Sequence, residues 1–239
     1  DPQNRVIEDG AIIISGDRIA AVGSTDSLLR QYHVARIINA RGKLVMPGLV
    51  NTHTHASMSV FRGIADDIPL HEWLYEHIFP LEARYVNAHS VRTGALLSFC
   101  EMIRSGTTAF NDMYYFEDEV AKAAKEIGMR GLMGESLIDF PVPNSASPAD
   151  GLKYTEEMLK KWKGDPLITM AVAAHAPYTC SPQLLKNARQ LADKFGVPLL
   201  IHLSETRWEV DSFARSVHLS PTAYLDSIGI LDGDVIAAH

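Results

Sequence analysis

An α/β fold with a parallel sheet enclosed by helices is what the sequence predicts, and three observations lead there. From Lys43 onward, apolar β-rich runs alternate with amphipathic stretches, the pattern of a parallel sheet covered by helices through right-handed crossovers. Six such strands fall in residues 44–239, roughly 33 residues per unit, which extrapolates to about 260 for eight units and lies near the ~250 of a (β/α)₈ barrel of the TIM type. No Gly-x-Gly-x-x-Gly phosphate loop follows the first strand, which removes the usual mark of a doubly wound dinucleotide fold. The fold expected is therefore a TIM-type barrel, truncated after about six strands.

Residues 6–42 stand apart. They read as "AIIIS", "RIAAVG" and "ARIINA", broken by Gly-Asp, Gly-Ser and Arg-Gly turn signals, and short alternating segments of this kind predict a small antiparallel β unit. The division is placed at Lys43, giving domains 1–43 and 44–239. Beyond it the predicted strands are "KLVMPGLVNTH", "GTTAFNDMYY", "MRGLMGESLI", "LITMAVAAHA", "PLLIHLSE" and "DVIAAH". Helices are predicted around 88–105, 117–127, 151–163 and 182–195, with helical turns around 206–228. A long insertion separates the first strand from its helix.

The 239 residues carry a formal net charge of −7, with 46% hydrophobic and 21% charged residues. That balance argues against nucleic acid or an anionic membrane as the main partner and favours a small neutral or cationic ligand. Cys100 and Cys180 are far apart, so neither a disulfide framework nor a thiolate zinc site is indicated. The start, "DPQNRVIEDG", has no charged n-region and apolar h-region, and no apolar run approaches the ~18 residues of a membrane span. A cytoplasmic protein is expected, and a homo-oligomer is compatible with it. Asp1 is not an initiator methionine, and six barrel units leave two sheet edges unpaired. The sequence is expected to be part of a longer protein.

In such barrels the C-terminal strand ends share one face and carry the reactive groups. Polar residues stand there: His53 and His55, Asp112, Glu135, His175, His202 with Glu205, and His239. Residues two apart on a strand point the same way, so His53 and His55 can present two imidazoles to one point. Imidazole suits zinc and related divalent ions, an open catalytic site uses about three protein ligands, and His202 is the natural third. Glu205, three residues on, can reach water at such a site without binding the metal. Taken alone, Glu205 reads as a first-turn helix residue favoured by the macrodipole.

The stretch "PGLVNTHTHASMSVFRGIADDIPLHEWL", with "IHLSET" and the terminal "AAH", resembles the amidohydrolase superfamily, most closely its branch of 5'-methylthioadenosine/S-adenosylhomocysteine deaminases and related chlorohydrolases. The resemblance covers essentially the whole chain. It implies that the N-terminal β unit is part of a β-sandwich, that His53, His55 and His202 bind the metal, and that Glu205 is the proton shuttle. It further implies that His239 contacts the hydrolytic water or substrate, that Trp73 lies beside the base, that Glu82 holds the ribose hydroxyls and that His175 touches substrate. An ionised carboxylate such as Glu82 accepts from two neighbouring hydroxyls at once.

Strand four has His175 where dinuclear members carry a carboxylated lysine, so one metal is implied, zinc first, with iron or manganese as alternatives. Two departures stand out: the family's strand-eight aspartate lies beyond the six units, and "DFPVPNSASPADGLKY" lacks the substrate-binding arginine. The activity implied is hydrolytic deamination of an adenine-type nucleoside with release of ammonia. Alternatives are an aminohydrolase or chlorohydrolase acting on guanine, a pterin or a triazine, and a metal-free, non-catalytic assembly protein on the same fold.

Overall fold

In the computed structural model, which describes residues 6–239, the alternating N-terminal segment folds into a hairpin. β1 (Gly10–Ser15) pairs antiparallel with β2 (Arg18–Ser24) through a turn in which Gly16 takes φ +61°, a left-handed conformation that glycine adopts without a Cβ penalty. β2 runs into α1 (Thr25–Gln31), whose first residue donates its backbone N–H and its hydroxyl to the Asp9 carbonyl at 2.9 and 2.7 Å. Leu28 is the buried residue of this helix. The strand predicted at "ARIINA" is not formed: residues 36–40 have no regular structure. Its β-branched composition is not sufficient, because a strand exists only where a neighbour accepts its backbone hydrogen bonds. The chain divides into two compact units between Pro47 and Gly48.

The second unit is a six-stranded, wholly parallel sheet in sequence order: β3 (Leu49–Thr54), β4 (Thr107–Tyr114), β5 (Arg130–Leu137), β6 (Ile168–Ala174), β7 (Leu199–His202) and β8 (Val235–Ala238). It is a nearly closed barrel, the truncated TIM-type architecture that the strand count predicts. The insertion after β3 is helical, which the periodicity did not indicate. A 3₁₀ stretch (Ala56–Phe61) is followed by α2 (Leu70–Glu72), a π-helical segment (Trp73–Ile78) and α3 (Phe79–Tyr85).

The remaining helices have local reasons for their limits. α4 (Ala88–Arg104) starts on Asn87, whose side chain and that of Ser90 form a reciprocal capping box. α5 (Glu117–Ile127) carries three acidic residues in its first turn and stops at Gly128, φ +79°. α6 (Pro148–Lys161), α7 (Pro182–Phe195) and α9 (Pro221–Ser227) each begin with a serine cap and a proline in the first turn. Ser147 and Pro148 therefore start α6 earlier than the predicted Gly151. α8 (Arg207–Ser216) is capped by Thr206.

Strand alternation sorts the core into two layers. Phe99, Phe110, Met133, Ile168, Leu185 and Leu199 join the cluster that includes the helices, while Met113, Ala171, Ala173 and Leu200 form a separate, smaller cluster. Space in the smaller cluster is short: a Cβ on Gly134 would come within 2.6 Å of the Ala173 Cβ, closer than packed carbons tolerate. Among the described residues no helix is long and apolar enough to cross a membrane.

Candidate active site

His53 lies on β3 and His55 follows its last residue, so alternation turns both rings to the same side. His202 ends β7. One ligand nitrogen from each of the three lies within 4.8 Å of the other two. Backbone carbonyls fix two of the tautomers. The Nδ1–H of His55 donates to the Met113 carbonyl, and that of His202 to the His175 carbonyl at 2.7 Å. Each Nε2 is then a bare lone pair, yet the two Nε2 atoms stand 3.2 Å apart. Two acceptors at that distance repel unless a cation lies between them, so the donor set fits a divalent metal, with carbonyl partners orienting the ligands from behind. Burial, and then the neighbouring histidines, push His53 down to about 4; burial also lowers His55 and His202. Neutral imidazole is the form that ligates.

Three further groups flank this cluster. His175 follows β6, its ring centroid 4.9 Å from that of His202. The Thr179 hydroxyl donates to the Ala176 carbonyl at 3.2 Å and so accepts from His175 Nδ1–H at 2.7 Å, leaving Nε2 open. Burial pushes His175 down to about 3. His239 stacks on His202 at 5.6 Å, and its Nε2 is 3.7 Å from Glu205 Oε1. Glu205 is half-buried; burial raises its carboxyl against the opposing effect of His239, the direction that suits a proton carrier.

Eight of the ten residues singled out in the sequence line one cavity of about 600 Å³, within the range of small-molecule sites; Asp112 and Glu135 are buried outside its lining. Trp73 opens the π-helical segment at one wall. Glu82 is 4% exposed, and Tyr114 donates to its Oε1 at 2.8 Å. Burial pushes Glu82 up to about 7 against the hydrogen bonds of Tyr114 and Tyr115. No arginine lines the cavity among the described residues.

Residues 44–239 match the amidohydrolase family, and the histidine cluster with its cavity lies within that span. The chain belongs to the amidohydrolase family. Residues 10–33 match the imidazolonepropionase-like composite domain of bacteria. Over 239 residues this amidohydrolase chain is 47% identical to the 5-methylthioadenosine/S-adenosylhomocysteine deaminase of Syntrophobacter fumaroxidans, covering all of itself and 54% of that protein. It is 45% identical over 235 residues, 98% of the chain, to the 5'-deoxyadenosine deaminase of Methanothermobacter thermautotrophicus, again covering 54% of the relative.

The crystal structure of an adenosine deaminase from Xanthomonas campestris with bound zinc aligns over the whole chain with TM-score 0.89 and 36% identity, covering 54% of that structure. An atrazine chlorohydrolase from Arthrobacter aurescens complexed with zinc, 22% identical, aligns with TM-score 0.88 over 58% of its length, a likeness of fold alone. The chain spans about half the length of the curated relatives it matches.

Residues to which the sequence assigned no role hold two of these side chains in place. Glu209, fully buried, accepts from the backbone N–H of Ser204 at 3.1 Å and of Glu205 at 3.0 Å. It thereby holds the turn that presents Glu205, with Ser204 at φ +58°. A signal existed, since "TRWE" has the Thr-x-x-Glu form of a capping box and Thr206 accepts from Glu209 N–H at 3.3 Å. Tyr114, which fixes Glu82, has no such local sign; its partner is 32 residues away.

Proposed function

We propose that the complete protein is a metal-dependent hydrolytic deaminase of an adenine-type nucleoside, and that the resident metal is zinc. The observation that carries this reading is the pair of converging Nε2 lone pairs of His55 and His202, with His53 beside them, in a cavity shared with two carboxylates of different surroundings. His53, His55 and His202 would hold the ion. A divalent ion held there supplies the Lewis acidity that makes water a nucleophile near neutral pH.

Glu205 carries the protons. Ionised, it accepts a proton from the water that attacks the amine-bearing carbon; protonated, it returns that proton to the adjacent ring nitrogen. The second proton of the water goes to the departing amine, so nucleoside and water become the oxo-nucleoside and ammonia. His239, within 3.7 Å of Glu205, contacts the hydrolytic water or the substrate. His175 offers its open Nε2 to the base as an acceptor. Trp73 supplies an apolar ring beside that base. Glu82, with one oxygen held by Tyr114, accepts from ribose hydroxyls. Names of relatives at 45–47% identity support the substrate class, and the 36% identical adenosine deaminase with zinc supports the metal.

The test is ammonia release by the full-length protein from methylthioadenosine, adenosine, 5'-deoxyadenosine and S-adenosylhomocysteine. Turnover of at least one, lost in Glu205→Gln, is expected. A metal-loaded protein inactive on all four refutes the substrate class.

A further inference from the structure

Three buried carboxyl groups take no part in the chemistry above: Asp112 on β4, Glu117 at the start of α5 and Glu135 on β5, none more than 1% exposed. Glu135 is well satisfied. Its Oε1 accepts from Phe116 N–H at 3.2 Å and Asn144 Nδ2 at 2.6 Å, and its Oε2 from Glu117 N–H at 3.0 Å. Asp112 is satisfied on one side, where Oδ1 accepts from Ala56 N–H at 2.8 Å. Asp112 Oδ2 and both side-chain oxygens of Glu117 have no donor partner, yet the two carboxyl groups lie within hydrogen-bond reach of each other.

Two ionised carboxylates cannot share a dry site, and an unpaired buried oxygen is costly. A single proton resolves both difficulties: protonated Glu117 becomes the donor that Asp112 Oδ2 lacks. The electrostatics run the same way, since burial, then the charges of Asp112 and Glu135, push the Glu117 carboxyl well above its ordinary range.

The pair grips the chain beside a ligand. Ala56 follows His55, and while its N–H goes to Asp112, its carbonyl accepts from the buried Ser98 hydroxyl at 2.6 Å. The next residue of β4, Met113, supplies the carbonyl that takes the His55 Nδ1–H. One strand therefore holds His55 by ring and by backbone. We propose that Asp112 and Glu117 form a hydrogen-bonded acid pair that positions His55, Glu117 donating to Asp112 and Asp112 accepting from Ala56. This rests on the reading of His53, His55 and His202 as a metal site.

The test uses the full-length protein, with Zn²⁺ affinity measured by chelator competition and the visible spectrum of the Co²⁺-loaded form as a second readout. Glu117→Gln still donates to Asp112, and Asp112→Asn still accepts from Ala56 while donating to Glu117. Both are expected to keep Zn²⁺ affinity within about threefold and an unchanged Co²⁺ spectrum, because the hydrogen-bond pattern survives. Glu117→Leu removes the donor and is expected to weaken Zn²⁺ binding about 10- to 100-fold and to shift the Co²⁺ bands, the scale seen when partners of metal ligands are lost.

A Glu117→Leu protein with wild-type affinity and spectrum overturns the acid pair, as does a Glu117→Gln protein as weak as the leucine variant. If Glu117→Leu does not fold, Ser98→Ala replaces it, loosening Ala56 from its other side; unaltered Co²⁺ bands there overturn the clamp. A wild-type protein that binds neither ion overturns the metal reading itself, a result distinct from the failure of the pair.

Discussion

Replacing Glu209 with alanine separates the proposed proton carrier, Glu205, from the proposed metal ligands. Glu209 is fully buried and accepts two backbone hydrogen bonds, at 3.1 and 3.0 Å, from the turn that carries Glu205. Hydrogen bonds to a charged acceptor contribute about 1.5–3 kcal/mol each. Ser204 is exposed and recovers part of its loss from water. Holding Ser204 at φ +58° costs about 1–2 kcal/mol that the freed turn releases. The net loss of stability expected is therefore about 2–4 kcal/mol.

The larger effect falls on turnover, because a displacement of about 1 Å in a catalytic group costs about 100-fold. His202 is anchored elsewhere, on β7 and through the His175 carbonyl, so metal content stays that of the wild type. Chemical denaturation and steady-state ammonia release measure the two quantities, and Glu209→Gln, which keeps one acceptor oxygen, should fall between. Wild-type kcat in Glu209→Ala, with the protein folded and metal-loaded, would refute the idea that this turn is what positions Glu205.

Two further outcomes follow from buried groups. Glu82 rises from an ordinary 4.5 to about 7 in the folded protein, so between these values the folded chain holds a proton that the unfolded chain has released, and stability falls as pH rises. At about 1.4 kcal/mol per pH unit the interval amounts to about 3 kcal/mol. Glu82→Gln, which cannot ionise, should gain that much over the wild type between pH 4.5 and pH 8 in denaturation curves; parallel curves would contradict it. In Gly94→Ala the added Cβ would lie 2.2 Å from the Ser57 carbonyl oxygen. Because that neighbour is backbone, α4 must shift from the segment after His55, with an expected loss of about 1–3 kcal/mol and weaker Zn²⁺ binding; an unchanged unfolding midpoint would exclude this tight approach.

Much of the site was legible because strand alternation is a local property. His53 and His55 two apart, and His175, His202 and His239 at or just beyond strand ends, follow from period and length alone. Helix α5 was equally open to reading, with its acidic first turn and Gly128 stop. What escaped depends on contacts distant in sequence. "ARIINA" has strand composition but no neighbour to pair with. The π-helical Trp73–Ile78 has no sequence period of its own. Asp112 was visible as a strand-end carboxylate, but its grip on Ala56, 56 residues away, is a product of the fold. Phe116 at φ +54°, which aims its N–H at Glu135, carries no glycine to announce the turn.

Metal content tests the central claim most directly. Full-length protein purified with zinc, then dialysed and analysed by elemental mass spectrometry, should hold about one ion per chain, and His55→Ala and His202→Ala should each hold close to none. A folded wild-type protein without metal, or alanine variants that retain a full equivalent, would contradict the reading of His53, His55 and His202 as one site.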